Sequence, residues 1–402
     1  MKNNRLKFSL SRNLQILMLM LTVFFSSCAT QKEIPADRID ATLELAAEQY
    51  KYMANQLPKD GSFPKTYYSE EDRFETSGSE WWVSGFYPGT LLYLYEETSD
   101  PELLEEAERI LEDLEKEQYN TSTHDLGFMM FDSFGNANIL DPQERYDEIL
   151  MNSAKSLATR FDEEVGAIRS WDSNDNSFLV IIDNMMNLEL LIWATEHSGD
   201  DRYRDIAITH ANTTMEHHFR PDNSTYHVIN YNENTGEVKE KRTAQGAADE
   251  SAWARGQAWG LYGFTEMYRK TKDEKYLDQA VKIAEFMLNH PNMPADNIPY
   301  WDFNAPNIPD ALRDSSAGAI MASALLELSE YVDESKKEKY FTAAETALNT
   351  LMSPEYLAEE GTNGGFILKH GVGHLPENSE VDVPLTYGDY YFVEALKRYQ
   401  EQ

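Results

Sequence analysis

Asp183 stands inside the run IIDNMMNLELLIWA, residues 181 to 194, directly against Ile181, Ile182, Met185 and Met186. An unpaired carboxylate among such side chains is costly. Burial of this kind raises a carboxyl's pKa until the group keeps its proton near neutral pH and can deliver it to a substrate. Acid catalysis is therefore the chemistry this position offers. The structural alternative is a helix N-cap, a role that Asp favours and that Asn184 would fill equally well. A second carboxylate, Asp125, follows His124 in the turn-like stretch HDLGF, where capping is again the plain alternative. Two carboxylates facing one another across a cleft are what a glycosidase needs.

Other residues could serve the same chemistry. Trp82, Trp253 and Trp259 present flat faces on which a sugar ring stacks, and Arg255 offers a fork for a carboxylate. Against this stand ordinary core packing for Trp253 and Trp259, an ion pair of Arg255 with Glu250, and Trp81, which reads as a core residue. His227 in TYHVINY would by residue type alone be a satisfied core histidine. His370 and His374 in HGVGH have a metal-like spacing, but nothing else completes a site. Neither a glycine-rich phosphate loop nor a serine-hydrolase elbow is present.

These residues need a scaffold that brings distant positions together, and the chain repeats a unit suited to that. An apolar helix runs through a short polar turn into a charged amphipathic helix, as in LLIWATEHSGDDRYRDIAITHA and LLELSEYVDESKKEKYFTAAETAL. The spacing predicts charged helices near 40–57, 101–116, 146–161, 201–217, 274–289 and 336–352, with apolar partners near 81–97, 124–140, 178–197, 250–270, 314–331 and 386–400. Strand signals are sparse, at 225–231 and 365–369. Six pairs fit an all-α closed toroid, an (α/α)6 barrel with short β segments in its loops. Its active site would lie where the loops entering the inner helices converge. Closure would make Asp125 and Asp183 neighbours across one helix pair.

The composition narrows the partners. A formal net charge of -35 argues against nucleic acid or an anionic membrane surface. An apolar fraction of 41% suffices for one large core, and 12% aromatic residues suit a sugar cleft or simply an aromatic core. The N-terminus reads as an export signal: Lys2, Arg5, Lys7 and Arg12 precede LQILMLMLTVFF, a run too short to span a bilayer comfortably. It ends at Cys28, the only cysteine, where a bacterial lipoprotein signal places its acylated residue, although Phe25 departs from the usual Leu. The expected organisation is a signal over 1–28, a tether over 29–37 and a single catalytic domain over 38–402. The protein would be an exported lipoprotein of the periplasm or cell surface, meeting the membrane only through its lipid.

Taken in order, SGFYPG, HDLGF, DNMMNLELLIWA, STYHVINYN with its following TG, SAWARGQAWGLYGF and YWDFNAPNIPDALRDSSAGAI closely resemble the unsaturated glucuronyl hydrolases of glycoside hydrolase family 88. The resemblance covers nearly all of the chain after the tether. It implies an (α/α)6 barrel that acts on oligosaccharides left by polysaccharide lyases and ending in a 4,5-unsaturated uronate. The C4=C5 bond is hydrated, and the product collapses to free the next sugar. By the same resemblance Asp183 is the proton donor and then the base, and Asp125 is the second carboxylate. Trp82, His124, His227, Gln245, Trp253, Arg255 and Trp259 would bind substrate, and Lys369 or His370 would meet a sulfate on the leaving side, with a solvated loop as the equal alternative. No metal or organic cofactor is implied. Expected substrates are glycosaminoglycan or ulvan-type fragments. The rivals are an unsaturated rhamnogalacturonyl hydrolase and a non-catalytic glycan-binding lipoprotein.

Overall fold

The computed structural model describes residues 34–173 and 175–402. The expected export signal, Cys28 and most of the expected tether lie outside the described residues. Helix begins at Ala36, two residues before the expected domain start at 38, and Ala36–Gln402 form one compact unit.

Six helices form an inner ring. They are α2 (Phe86–Thr98), a π-helix over Gly127–Gly135 that runs on into α4 (Asn136–Leu140), α6 (Leu188–Ser198), α8 (Ala254–Thr271), α10 (Ser315–Ser329) and α12 (Thr386–Glu401). Each packs on the next and α12 returns to α2, so the ring closes. The outer helices are α1 (Ala36–Gln56), α3 (Pro101–Leu114), α5 (Glu144–Ala158), α7 (Asp201–His217), α9 (Glu274–Asn289) and α11 (Glu334–Leu351). The burial follows the sequence pattern: every residue of α10 is buried, whereas α3 buries only one stripe, including Leu103, Ala107, Ile110, Leu111 and Leu114. The polar turns between paired helices do defined work. Asp100, Asp200, Asp273 and Asp333 each cap an outer helix, their carboxylates accepting the backbone N–H of Glu102, Arg202, Lys275 and Lys336. Such a cap satisfies donors that otherwise lack partners and stabilises the helix by about 1 kcal/mol.

The loops at one end of the ring hold more β-structure than expected. β1 (Phe63–Tyr68) and β2 (Arg73–Ser77) form a hairpin; β3 (Phe161–Asp162) pairs with β4 (Ala167–Ile168); β5 (Ser177–Ile181), β6 (Val228–Asn232) and β7 (Val238–Arg242) form a three-stranded antiparallel sheet; β8 (Gly371–His374) and β9 (Ser379–Val383) form a last hairpin. Three expectations need correction. The helix expected over 178–197 is strand β5, a 3-10 segment over Ile182–Asn187 and then α6, because the β-branched and aromatic residues of β5 pair with β6 from Ser177↔Asn232 to Ile181↔Val228. The strand expected at 225–231 starts at Val228, Thr225 making only an isolated bridge to Phe219. The strand expected at 365–369 is absent. Asn363–Gly365 form a 3-10 turn with Gly364 and Gly365 at positive φ, Leu368 makes only an isolated bridge to Leu357, His370 follows at φ 61°, and the ladder begins at Gly371.

The 3-10 segment that carries Asp183 is gripped by glycines from both sides. A Cβ on Gly127 would stand 2.4 Å from Asn187 Cα, and one on Gly263 of α8 would stand 2.5 Å from Met185 Cβ. Gly263→Ala is expected to cost about 1–3 kcal/mol, as overpacking does in a rigid core. Urea unfolding of the variant checks this, and a change below experimental scatter would mean that the segment yields.

Candidate active site

Five of the loops at that end line a cavity of about 380 Å³. Asp183 enters it from the turn between β5 and α6, Asp125 and His124 from the residues leading into the π-helix, Gln245 from the loop after β7, and Arg255 from the first turn of α8. Trp82, just before α2, faces the same space.

Asp183 caps no helix: α6 starts after Asn187, and the Ile182–Asn187 turn after Ile181. The residue is 8% exposed, and its Oδ2 is buried with no hydrogen-bond partner among the described residues. Burial pushes its carboxyl from 3.8 up to about 7; the Arg255 guanidinium pulls the other way, and the charge of Asp125 adds to the rise. The group is thus balanced between its two protonation states at neutral pH. Asp125 sits nearer the opening, where its carboxylate accepts the Thr123 hydroxyl at 2.8 Å and lies 3.4 Å from Nε2 of His124. Burial lowers the pKa of His124, which keeps the imidazole neutral.

His227 lies behind this wall, and its tautomer follows from its neighbours. Its Nδ1 accepts two backbone N–H groups, from Ala244 at 3.1 Å and Gln245 at 3.2 Å. Burial drives its pKa well below the ordinary 6.5, so the ring is neutral. With Nδ1 accepting, the proton resides on Nε2, which lies 3.7 Å from Asp183 Oδ2. Both of these facing atoms are buried without a hydrogen-bond partner among the described residues. They form a donor and an acceptor aimed at one spot.

Arg255 is more committed than the sequence implies. It is 1% exposed, pairs with the fully buried Asp314 at 3.2 Å, and donates to the carbonyls of Val372 and Gly373 at 2.6 Å each. Its partner is therefore Asp314 and not Glu250, and its fork fastens the β8–β9 hairpin. Gln245 reinforces the same hairpin through its Nε2, which donates to the Gly373 carbonyl at 3.1 Å.

Of the predicted stacking residues, Trp82 alone lines the cavity. Trp253 is buried behind it, its ring 4.6 Å from that of His227 and beneath the Arg255 guanidinium. Trp259 is fully buried against Phe128 and Tyr391. Trp81, expected in the core, is 47% exposed and lines the mouth. Lys369 does not reach the site, since its ammonium donates to the Pro354 carbonyl at 2.7 Å. His370 turns instead to Asp382 at 2.7 Å, and His374 Nε2 lies 3.0 Å from the Ala244 carbonyl, so the two histidines of HGVGH diverge. Among the described residues no group of three or more His, Cys, Asp or Glu is placed to hold a metal ion. Lining residues that sequence reasoning missed include Lys65, Trp171, Glu377, Glu380 and Tyr387. Tyr387 had a signal, its place at the start of the apolar helix expected over 386–400. Lys65 and Glu380 had none, since their meeting depends on two hairpins far apart in the chain.

Known proteins resemble this chain over nearly all of its length. An unsaturated glucuronyl hydrolase of Formosa agariphila is 44% identical over 399 residues, covering 97% of this chain and 98% of the relative. An unsaturated chondroitin disaccharide hydrolase of Streptococcus pyogenes is 30% identical over 374 residues, 90% of this chain and 91% of its own length. Among solved structures, an unsaturated glucuronyl hydrolase described as specific for heparin superposes with a TM-score of 0.88 at 48% identity, over 91% of this chain and 98% of that one. A mutant of the Streptococcus agalactiae enzyme complexed with dGlcA-GalNAc6S superposes with a TM-score of 0.77 at 29% identity, over 90% and 91%. The model of Glycosyl Hydrolase Family 88 matches residues 50–401, and with that match and these relatives the chain belongs to that family.

Proposed function

We propose that this enzyme removes a 4,5-unsaturated uronate from the non-reducing end of glycosaminoglycan-derived oligosaccharides by hydrating the C4=C5 bond, with Asp183 as proton donor. The observation that carries this reading is the Asp183 carboxyl, buried in the cavity wall, unpartnered at Oδ2 and titrating at about 7. A general acid works best when its pKa lies near the operating pH.

The steps follow from that group. Asp183 delivers its proton to C4, and the π electrons of C4=C5 form the new C–H bond. Positive charge develops at C5, shared with the ring oxygen. The Asp183 carboxylate then takes a proton from a water that adds to C5, and the Nε2–H of His227, 3.7 Å behind Oδ2, supports that carboxylate. The hemiketal opens to a ketone at C5, leaving a hemiacetal at C1 that expels the next sugar as an alcohol. Asp125, held by Thr123, accepts a sugar hydroxyl and through its charge favours the protonated form of Asp183. Trp82 supports the ring. Because the bond at C1 breaks only after hydration, the spacing of the two carboxylates carries no stereochemical message.

The relatives bear on the substrate through their names, one specific for heparin and others for unsaturated chondroitin disaccharides. The test is to follow the ultraviolet band of the unsaturated uronate while residues 29–402 are incubated with lyase products of glycosaminoglycans, ulvan and rhamnogalacturonan. Decay fastest on a glycosaminoglycan product is expected. Decay confined to the rhamnogalacturonan product would replace this reading with that of an unsaturated rhamnogalacturonyl hydrolase, and tight binding without decay would replace it with that of a glycan-binding protein.

A further inference from the structure

The mouth of the cavity carries charges that the reaction above leaves unused. Glu380 of β9 lines it with a backbone φ of 54°, a conformation that costs a non-glycine residue energy and that clusters at functional positions. Across the hairpin, Gly373 makes room for it, since a Cβ there would stand 2.6 Å from both Glu380 Cβ and its Oε2. Lys65 of β1 steadies the carboxylate at 3.7 Å while donating to Glu75 at 2.7 Å. Burial raises the Glu380 carboxyl above its ordinary value, and Lys65 and Arg255 pull it back towards the charged form. Glu377 adds an exposed carboxylate to the same rim, and Trp81 presents a half-exposed ring with the Lys65 ammonium 5.4 Å above it.

Position fixes what this rim can meet. Asp183, His124 and Arg255 are nearly or fully buried, so the uronate ring lies inward and the sugar joined to its C1 extends towards the rim. The cations expected there, Lys369 and His370, are turned to Pro354 and Asp382. Lys65 is already matched by Glu75. Charged carboxylates accept hydrogen bonds and donate none, and a sulfate is likewise only an acceptor, so the two can only repel.

Resting on the function proposed above, we infer that Glu380, aimed over the mouth by its backbone and steadied by Lys65, is a specificity determinant for the leaving sugar. It accepts hydrogen bonds from a hydroxyl or amine on that sugar and rejects one that carries a sulfate there, while Trp81 supplies the stacking face.

Binding can be read without turnover on an Asp183→Asn background. An unsulfated and a 6-sulfated lyase disaccharide of the same linkage are titrated calorimetrically into that variant, into Asp183→Asn/Glu380→Gln and into Asp183→Asn/Lys65→Met. The unsulfated ligand is expected to bind at least about tenfold tighter to Asp183→Asn, the scale of a like-charge mismatch. That preference should fall to about threefold or less with Glu380→Gln, whose amide can donate, and should grow with Lys65→Met, which leaves Glu380 uncompensated. Equal or tighter binding of the sulfated ligand, no binding of either, or a preference untouched by Glu380→Gln would overturn the inference. Failure of the reaction itself is a separate result, read as an unchanged ultraviolet band with the unsubstituted enzyme.

Discussion

Asp183→Asn is expected to slow turnover by about a thousandfold or more, within the range general acid–base catalysis supplies, while leaving disaccharide binding nearly intact. The same change is expected to stabilise the protein. The native carboxyl titrates at about 7 and the unfolded one near 3.8, so between those values the native state holds a proton that the unfolded chain has lost. Stability therefore falls as pH rises through that window, and the full penalty, on the order of 4 kcal/mol, is reached above about pH 7. Asn carries no such penalty. At pH 8 the variant should unfold at higher urea than the unsubstituted enzyme, and below pH 4 the two should coincide. Asp389, also raised to about 7 by burial, titrates in both proteins and cancels in the difference. A variant that gained nothing at pH 8 would show that Asp183 is not buried against its charged form. The activity of the unsubstituted enzyme should fall tenfold per pH unit above about 7, as the donor loses its proton.

Arg255→Met is expected to destabilise the protein by about 3–5 kcal/mol, because removing one partner of a buried ion pair strands the other. Asp314 is wholly buried; besides Arg255 it accepts the backbone N–H and hydroxyl of Ser316 and the N–H of Val372, and those neutral donors alone compensate its charge poorly. The Val372 carbonyl also loses the guanidinium as donor, while the Gly373 carbonyl keeps Gln245. Arg255→Met/Asp314→Asn should recover part of the stability by removing the stranded charge, and activity should stay low because the β8–β9 wall is no longer fastened. Urea unfolding of the three proteins decides it. A loss below about 1 kcal/mol in the single variant would mean that water reaches the pair and screens it, as at a surface.

The helical framework was legible because it rests on local signals. The alternation of wholly apolar and striped helices gave both layers of the ring, and the short polar turns between them gave the approximate starts of the outer helices. What failed was set by distant partners. Phe178 to Ile181 read as part of a helix until β6 is there to pair with them, and no periodicity distinguishes the π-helix after Asp125 from an ordinary one. Asp183 and Asp125 were found from their setting and from the family resemblance. Arg255 was placed correctly but its fork was not, since Asp314 and the carbonyls of β8 reach it from far along the chain. Trp81 was missed because an exposed tryptophan at a rim has the same neighbours in sequence as a buried one.

On the proposed function, water adds to C5 before the bond at C1 breaks. Recording the ultraviolet band and the freed reducing end of the leaving sugar in one reaction tests it directly. The band is expected to disappear no later than the sugar is released, and both are expected to stop in Asp183→Asn. Release of the sugar ahead of the band's decay would contradict it, because the double bond would then have outlived the glycosidic bond.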